Sequence, residues 1–310
     1  MNKITIVGAG VVGATSAYSL IAKDVAEELV LVDINKELAE AEAMDLQHSV
    51  SFFGSTQVRA GSYEDFSDSQ IVVFCAGSAQ KEGQSRLDLI QDNARIVQKV
   101  VPEIFSRNPD AMLIMVTNPV DVLTYLAIQM FPEKKRQIIG TGTMLDSSRF
   151  RYLLGAKLRV NSKSITAYIV GEHGDSEVPY WSTATTGSMS LDTCRLLTKE
   201  EKDEIFSQAK NAAYAIIKGK QATYYAIGAV VSHLCNVIIK DKRVILPISH
   251  FIEGEFGISD VCLSIPVVVG KEGVAGHLCV VFSDEELTLL KKSADTLKEV
   301  IASLDLTSKT

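Results

Sequence analysis

The sequence lacks the marks of secreted, membrane-bound and nucleic-acid-binding chains. Its five cysteines, Cys75, Cys194, Cys235, Cys262 and Cys279, are odd in number and scattered. With no C-x-x-C pair, neither a disulfide framework nor a zinc ribbon is expected. They read as small buried hydrophobes in a reducing compartment, several of them, such as Cys75 and Cys279, inside apolar runs. None of the five histidines falls in H-E-x-x-H or comparable ligand spacing, so no metal is expected. No apolar run approaches the ~20 residues needed to span a bilayer. Met1-Asn2-Lys3 passes straight into the short run 4–7, so no signal peptide is expected either, and the location should be cytoplasmic. Nor does any Lys/Arg-rich stretch offset the formal net charge of −7, which repels nucleic acid and anionic membranes alike. An anionic substrate would have to be captured by individually placed arginines.

What is present is 310 residues, 46% of them hydrophobic, enough for two domains or one large one. Strand-like runs at 4–7, 28–33, 56–59, 71–75 and 112–116 alternate with helical stretches at 11–22, 36–46 and 88–106. Strands apolar on both faces and separated by helices imply a parallel sheet covered on both sides. After about Gly140 the pattern changes. Helices are expected at 145–154, 199–218, 224–239 and 284–301. A β-rich stretch spans 164–170, and the runs 244–248, 262–269 and 274–282 follow one another without helices, which suits antiparallel pairing. The expected fold class is α/β: a Rossmann-type doubly wound sheet over 1–140, then an α+β substrate domain with antiparallel strands over 141–310. No linker or repeat intervenes, so the active site is expected where the two domains meet.

Gly8-Ala9-Gly10-Val11-Val12-Gly13 fits G-x-G-x-x-G. Alone such a match is weak, but here it follows the first strand and opens the first helix. Gly8 would permit the tight turn, Gly10 the approach of a pyrophosphate, and Gly13 close helix–strand packing. Phosphates would then sit on the backbone N–H groups of the helix N-terminus. Asp33, about twenty residues on and at the end of the next strand, can accept hydrogen bonds from a ribose. A carboxylate there repels a 2′-phosphate, and Ile34-Asn35 offers no arginine in its place. NAD is therefore expected over NADP.

Three polar clusters could supply chemistry. His173 lies in Gly171-Glu172-His173-Gly174-Asp175, directly after a strand. A lone histidine is more often a surface or satisfied core residue, and the flanking glycines weigh against that reading without settling it. Asp146 and Arg149, spaced i, i+3, share a helix face. They are either a surface ion pair of little worth or a carboxylate that charges an imidazole beside a guanidinium that grips an anion. The segment 77–86, glycine-bounded with a charged tip, follows a parallel strand, where ligands bind in open α/β sheets. It reads as a hinged lid or an ordinary solvated loop.

In order and spacing, GAGVVG, AGSAQKEGQSRLDL, VTNPVD (116–121), GTGTMLDSSRFR (140–151), GEHGD and KGKQATYYAI (218–227) make the whole chain resemble the lactate/malate dehydrogenase family, in its L-lactate branch. The resemblance implies that His173 is the general acid and base, Asp146 its partner, and Arg149 the bidentate binder of the substrate carboxylate. Arg86 would arrive with the lid and polarise the carbonyl. Asn118 would orient substrate beside the nicotinamide, and Gln80 and Thr223 would surround its small side group. Ile227, Val12, Tyr63, Gly77, Ser78, Val116 and Thr141 match positions lining the dinucleotide. Malate dehydrogenases carry arginine where Gln80 stands, so a second substrate carboxylate would go unpaired. That penalty, roughly 3–5 kcal/mol, favours pyruvate and L-lactate. Other readings are a malate or branched 2-hydroxy acid dehydrogenase, or a catalytically silent NAD-binding structural protein. Retention of His173, Asp146, Arg149 and Arg86 together argues against the last. By resemblance the chain is a homotetramer. Several bacterial relatives are activated by fructose 1,6-bisphosphate through an arginine and a histidine; Arg151 matches the first, but Thr166 replaces the second, which argues against that regulation.

Overall fold

The computed structural model describes residues 2–78 and 86–304, and of Arg86 the main chain only. In chain order the elements are β1 (Lys3–Val7), α1 (Val11–Ala22), β2 (Glu28–Val32), α2 (Lys36–Val50), β3 (Gln57–Ala60), β4 (Ile71–Phe74), α3 (Arg86–Arg107), β5 (Met112–Met115), α4 (Val120–Met130) and β6 (Ile138–Gly140). They continue with α5 (Met144–Leu158), β7 (Ile165–Val170), β8 (Val178–Thr186), β9 (Met189–Ser190), α6 (Lys199–Lys220), α7 (Tyr225–Ile239), β10 (Val244–Glu253), β11 (Ser259–Gly270), β12 (Gly273–His277) and α8 (Asp284–Ala302).

The larger sheet runs β12-β11-β10-β6-β5-β4-β1-β2-β3. Its β6-to-β3 part is parallel throughout, and the order reverses between β1 and β4, the place where doubly wound sheets open a ligand crevice. Strands β10, β11 and β12 add antiparallel to β6, so one sheet passes through both halves of the chain. A second sheet, β7-β8-β9, is antiparallel and touches β11 through a bridge between Gly171 and Ser264.

Side-chain alternation explains the two-sided cover. Ile4, Ile6, Ile71, Val73, Met112 and Ile114 point into one core with Leu20 and Ile21 of α1 and Leu234 and Ile238 of α7. Val7, Val72, Phe74, Leu113 and Met115 point the other way, into a core with Val97 and Ile104 of α3 and Leu123 and Ala127 of α4. Each fully buried aliphatic contributes about 1.5–3 kcal/mol, so the parallel strands are anchored from both faces and their loop ends are set rigidly. A third core, with Phe150, Leu154, Ile169 and Ile205, holds α5 and α6 on the small sheet.

Four elements, α4, β6, β8 and the two-residue β9, go beyond the sequence expectations. Helix α4 is buried at every position from Val120 to Ile128, so no polar face gives it a helical period. Strand β6 has only three residues, and β8 carries polar side chains on a half-exposed face. Conversely, the run expected as strand to residue 282 stops at His277. One consequence corrects the reading of the cysteines: Cys279, past the strand end, is exposed, as is Cys194, while Cys235 and Cys262 are buried. Among the described residues no helix is long and apolar enough to cross a membrane.

Candidate active site

The glycine motif occupies the β1–α1 turn. Gly8 has φ +98°, and a Cβ there would stand 2.6 Å from the nitrogen of Ala76 on the neighbouring β4 loop. At Gly13 a Cβ would stand 1.9 Å from the carbonyl oxygen of Gly8, so only glycine lets α1 approach β1. Gly10 meets the opposite condition. It is the N-cap of α1, no side chain caps the helix, and nothing lies within 4 Å of where its Cβ would be. Open space before uncapped N–H groups suits a pyrophosphate. Val12 is half-buried in the first turn. Asp33 is tied to the same loop: Oδ2 accepts from Ala9 N at 2.7 Å, and Oδ1 from Asn35 N at 2.8 Å. Each oxygen keeps a second lone pair for a ribose hydroxyl. The donor set fits a dinucleotide.

Gly77 and Ser78 follow β4, Val116 and Asn118 follow β5, and Thr141 follows β6, all at the carboxyl ends of parallel strands. Thr141 N donates to Met115 O at 2.9 Å, keeping the last two loops in register. Tyr63 is half-buried and stacks on Phe66 with centroids 5.3 Å apart. Ile227, in the first turn of α7, is half-buried against the core shared with α1. Thr223, half-buried in the turn before α7, shares no hydrogen bond with the His173 cluster among the described residues. Gln80 and the Arg86 side chain lie outside the described residues, as does most of the expected lid.

The Asp146–Arg149 pair is no surface ion pair. Their side chains are 3% and 12% exposed, and Arg149 Nη1 donates to Asp146 Oδ1 at 2.9 Å. The other carboxylate oxygen, Oδ2, lies 2.5 Å from His173 Nδ1. One carboxylate thus bridges an imidazole and a guanidinium. Burial pushes the His173 imidazole down, but the charge and hydrogen bond of Asp146, with Asp121 and Glu177 nearby, raise it to about 9. Burial pushes Asp146 up, and the facing His173 and Arg149 cations outweigh it and hold the carboxyl below its usual range. The His173 side chain is 23% exposed, and its Nε2 has no partner among the described residues. An imidazolium with Nδ1 engaged and Nε2 open is arranged to give a proton outward. The neighbouring guanidinium is arranged to bind an anion.

Two further carboxyls, which the sequence reading passed over, stand close. Asp121 is 1% exposed and accepts from His173 N at 2.7 Å through Oδ2. Burial raises it to about 6, against the lowering effect of Ser249 and the His173 main chain. Glu177 is 7% exposed, with Oε1 buried and unpartnered among the described residues. Burial and the charge of Asp146 raise it to about 8, so it is mostly neutral at pH 7. Asn93 was also missed. Its Oδ1 accepts from Ser78 N at 2.8 Å and its Nδ2 donates to Asn118 O at 2.9 Å, strapping the β4 and β5 loops together. Its place in an ordinary amphipathic helix gives no sign of this. Among the described residues no three His, Cys, Asp or Glu side chains converge to hold a metal.

Comparison with known proteins agrees over the whole chain. The family profile described as lactate/malate dehydrogenase, NAD binding domain, matches residues 2–140, and that of the alpha/beta C-terminal domain matches 143–305. An L-lactate dehydrogenase of Acetivibrio thermocellus is 43% identical, covering 99% of this chain and 98% of its own. The L-lactate dehydrogenase 1 of Clostridium acetobutylicum is 42% identical over 98% of each. Among solved structures, the minor L-lactate dehydrogenase of Enterococcus mundtii superposes with a TM-score of 0.95 at 37% identity, covering 98% of this chain and 99% of that one. With an uncapped glycine cradle at β1, a bridged carboxylate at the strand ends and these matches across both halves, the chain belongs to the lactate/malate dehydrogenase family.

Proposed function

We propose that the chain catalyses reversible, NAD-dependent hydride transfer between pyruvate and L-lactate, with His173 as general acid and base. The observation that carries this reading is the Asp146 carboxylate shared between His173 Nδ1 and Arg149, at 2.5 and 2.9 Å. Such an arrangement holds one proton and one anion-binding fork side by side. NAD would be held by Gly8, Gly10 and Gly13 at its phosphates and by Asp33 at its ribose, and it supplies the hydride when bound. His173 Nε2 donates its proton to the substrate carbonyl oxygen, and in reverse accepts the proton of the hydroxyl. Asp146 steadies the imidazolium throughout, and Arg149 takes the carboxylate with two parallel N–H groups. Asn118 orients the substrate, Thr223 and Gln80 bound its methyl side, and Arg86 polarises the carbonyl. In this reading residues 1–140 form the NAD-binding domain and 141–310 the substrate domain.

Neutral Gln80 favours pyruvate over oxaloacetate. In Gln80→Arg the ratio of kcat/KM for oxaloacetate to that for pyruvate is expected to rise about 10²–10³-fold, since a buried second carboxylate gains its counter-charge. Steady-state NADH oxidation with both acids, and with longer 2-oxo acids, measures it; an unchanged ratio removes Gln80 from the pocket. The same reading takes the chain as a cytoplasmic, fermentative homotetramer. This reading carries no activation by fructose 1,6-bisphosphate. Arg151 is half-buried and lines a cleft with Lys163, Tyr168 and His233, while Thr166 brings no cation.

A further inference from the structure

Asn93 stands inside α3, where asparagine is a poor helix former, and the mechanism above gives it no part. It is 4% exposed, and its side chain turns away from its own helix to two loops. Oδ1 accepts from Ser78 N at 2.8 Å, and Nδ2 donates to Asn118 O at 2.9 Å. One loop thus presents an N–H and the other a carbonyl. A neutral amide of this length supplies the matching acceptor and donor together. Aspartate would set a charge against the Asn118 carbonyl, and leucine, of similar size, would leave both main-chain groups unpaired.

The two loops end β4 and β5, and they touch. Thr117 Oγ1 donates to Ala76 O at 2.8 Å, and a Cβ on Gly77 would stand 2.7 Å from Thr117 Cγ2 and 3.3 Å from Asn93 Oδ1. Past Thr117, Asn93 carries the connection. Among the described residues it is the sole hydrogen-bond partner of the main chain at Ser78 and at Asn118. Its own helix is anchored by Val97 and Ile104 in the core beneath β4 and β5, so the strap has a rigid base. The Asn118 side chain is exposed. Its Oδ1 accepts from Val120 N at 3.3 Å, which leaves Nδ2, unpartnered among the described residues, to donate outward. How far that amide reaches is decided by where its main chain is pinned.

We propose that Asn93 is a positioning residue for the reaction. It fixes the main chain of Asn118 against that of Ser78, so that the Asn118 amide meets the substrate at a set distance from the loop beside the dinucleotide. This rests on the reading that Asn118 orients the substrate next to NAD. A displacement of about 1 Å in such a group suffices to cost 10²-fold in rate.

The test is a double-mutant cycle of parent, Asn93→Leu, Asn118→Ala and the double variant. At neutral pH it measures kcat, KM for pyruvate, NADH affinity by fluorescence, and melting temperature. Asn93→Leu should lower kcat by about 10–100-fold, with KM for pyruvate within about threefold because Arg149 is untouched, and NADH affinity within about fivefold. In the Asn118→Ala background the same change should cost less than about threefold in kcat, because the group it positions is gone. Asn93→Asp keeps the acceptor for Ser78 N but repels Asn118 O, so it should lose kcat as leucine does, and it takes the place of leucine in the cycle if that variant does not fold. Parental kcat in the Asn93 variants, beside an impaired Asn118→Ala, overturns the role of Asn93 alone. So does an equal loss in both backgrounds, the mark of a purely structural part. A fully active Asn118→Ala overturns both the reading of Asn118 and this inference.

Discussion

Replacing His173 with asparagine is expected to lower kcat for pyruvate reduction by about 10²–10⁴-fold, the usual worth of a positioned general acid, while NADH still binds. The size follows from the arrangement around the ring. Without the imidazolium, the oxygen that gains charge as the carbonyl is reduced has no proton to take, and water is a poor substitute in a half-buried place. Asparagine keeps a similar volume and can hydrogen-bond Asp146, so the fold should survive and the loss should fall on kcat. Arg149 is untouched, so KM for pyruvate should change by only a few-fold. Stopped-flow and steady-state NADH absorbance, with fluorescence titration of NADH, separate these quantities. A variant within threefold of the parent in kcat would remove His173 from the chemistry.

The second large effect is on pH. In the proposed mechanism pyruvate reduction uses the protonated ring, and the pKa of His173 is raised to about 9. Reduction should therefore be flat through neutral pH and fade as pH rises through about 9, whereas lactate oxidation, which uses the neutral ring, should gain over the same range. Glu177, raised to about 8, titrates in the same window, and its charge is among those that hold the ring up. Asp146→Asn removes the carboxylate that holds the ring up and leaves burial, which lowers it. Should the ring fall to its ordinary value of about 6.5, its protonated fraction at pH 8 drops from about nine tenths to roughly one in thirty. A loss near 30-fold at pH 8, shrinking toward pH 6, is the expected signature. Initial rates from pH 5.5 to 10 measure it, and a parallel profile in the variant would contradict the Asp146–His173 bond.

Much of this was legible because it follows from local sterics or short spacing. The roles of Gly8 and Gly13 rest on the crowding of one turn, which the motif encodes directly; a Cβ at Gly13 has no room whatever the rest of the chain does. Asp146 and Arg149 lie three residues apart on one helix, so their pairing needed no tertiary knowledge. What the spacing could not tell was their burial, which turns a weak surface pair into a site. Helix α4 escaped because it is buried all round, leaving no periodic signal for either element type. Asp121 and Glu177 escaped for a related reason. Each acquires its character from segments distant in sequence, His173 and Ser249 for one, Asp146 and Lys210 for the other. In Gly174-Asp175-Ser176-Glu177 an acidic residue reads as a solvated loop charge, and only the packing of α5 and α6 around it says otherwise. Cys279 differs in the opposite direction: its apolar run reads as buried strand, but β12 ends at His277 and the cysteine is exposed.

The central claim is that His173 Nε2, Arg149 and the nicotinamide meet around one small 2-oxo acid. The structure of the ternary complex with NADH and oxamate, the unreactive amide counterpart of pyruvate, measures this directly. The predicted result is His173 Nε2 within about 2.6–3.2 Å of the oxamate amide oxygen. Arg149 should bracket the oxamate carboxylate, and C4 of the nicotinamide should face the carbonyl carbon. Oxamate bound elsewhere, or His173 turned away from it with Asp146 still engaged, would contradict the account.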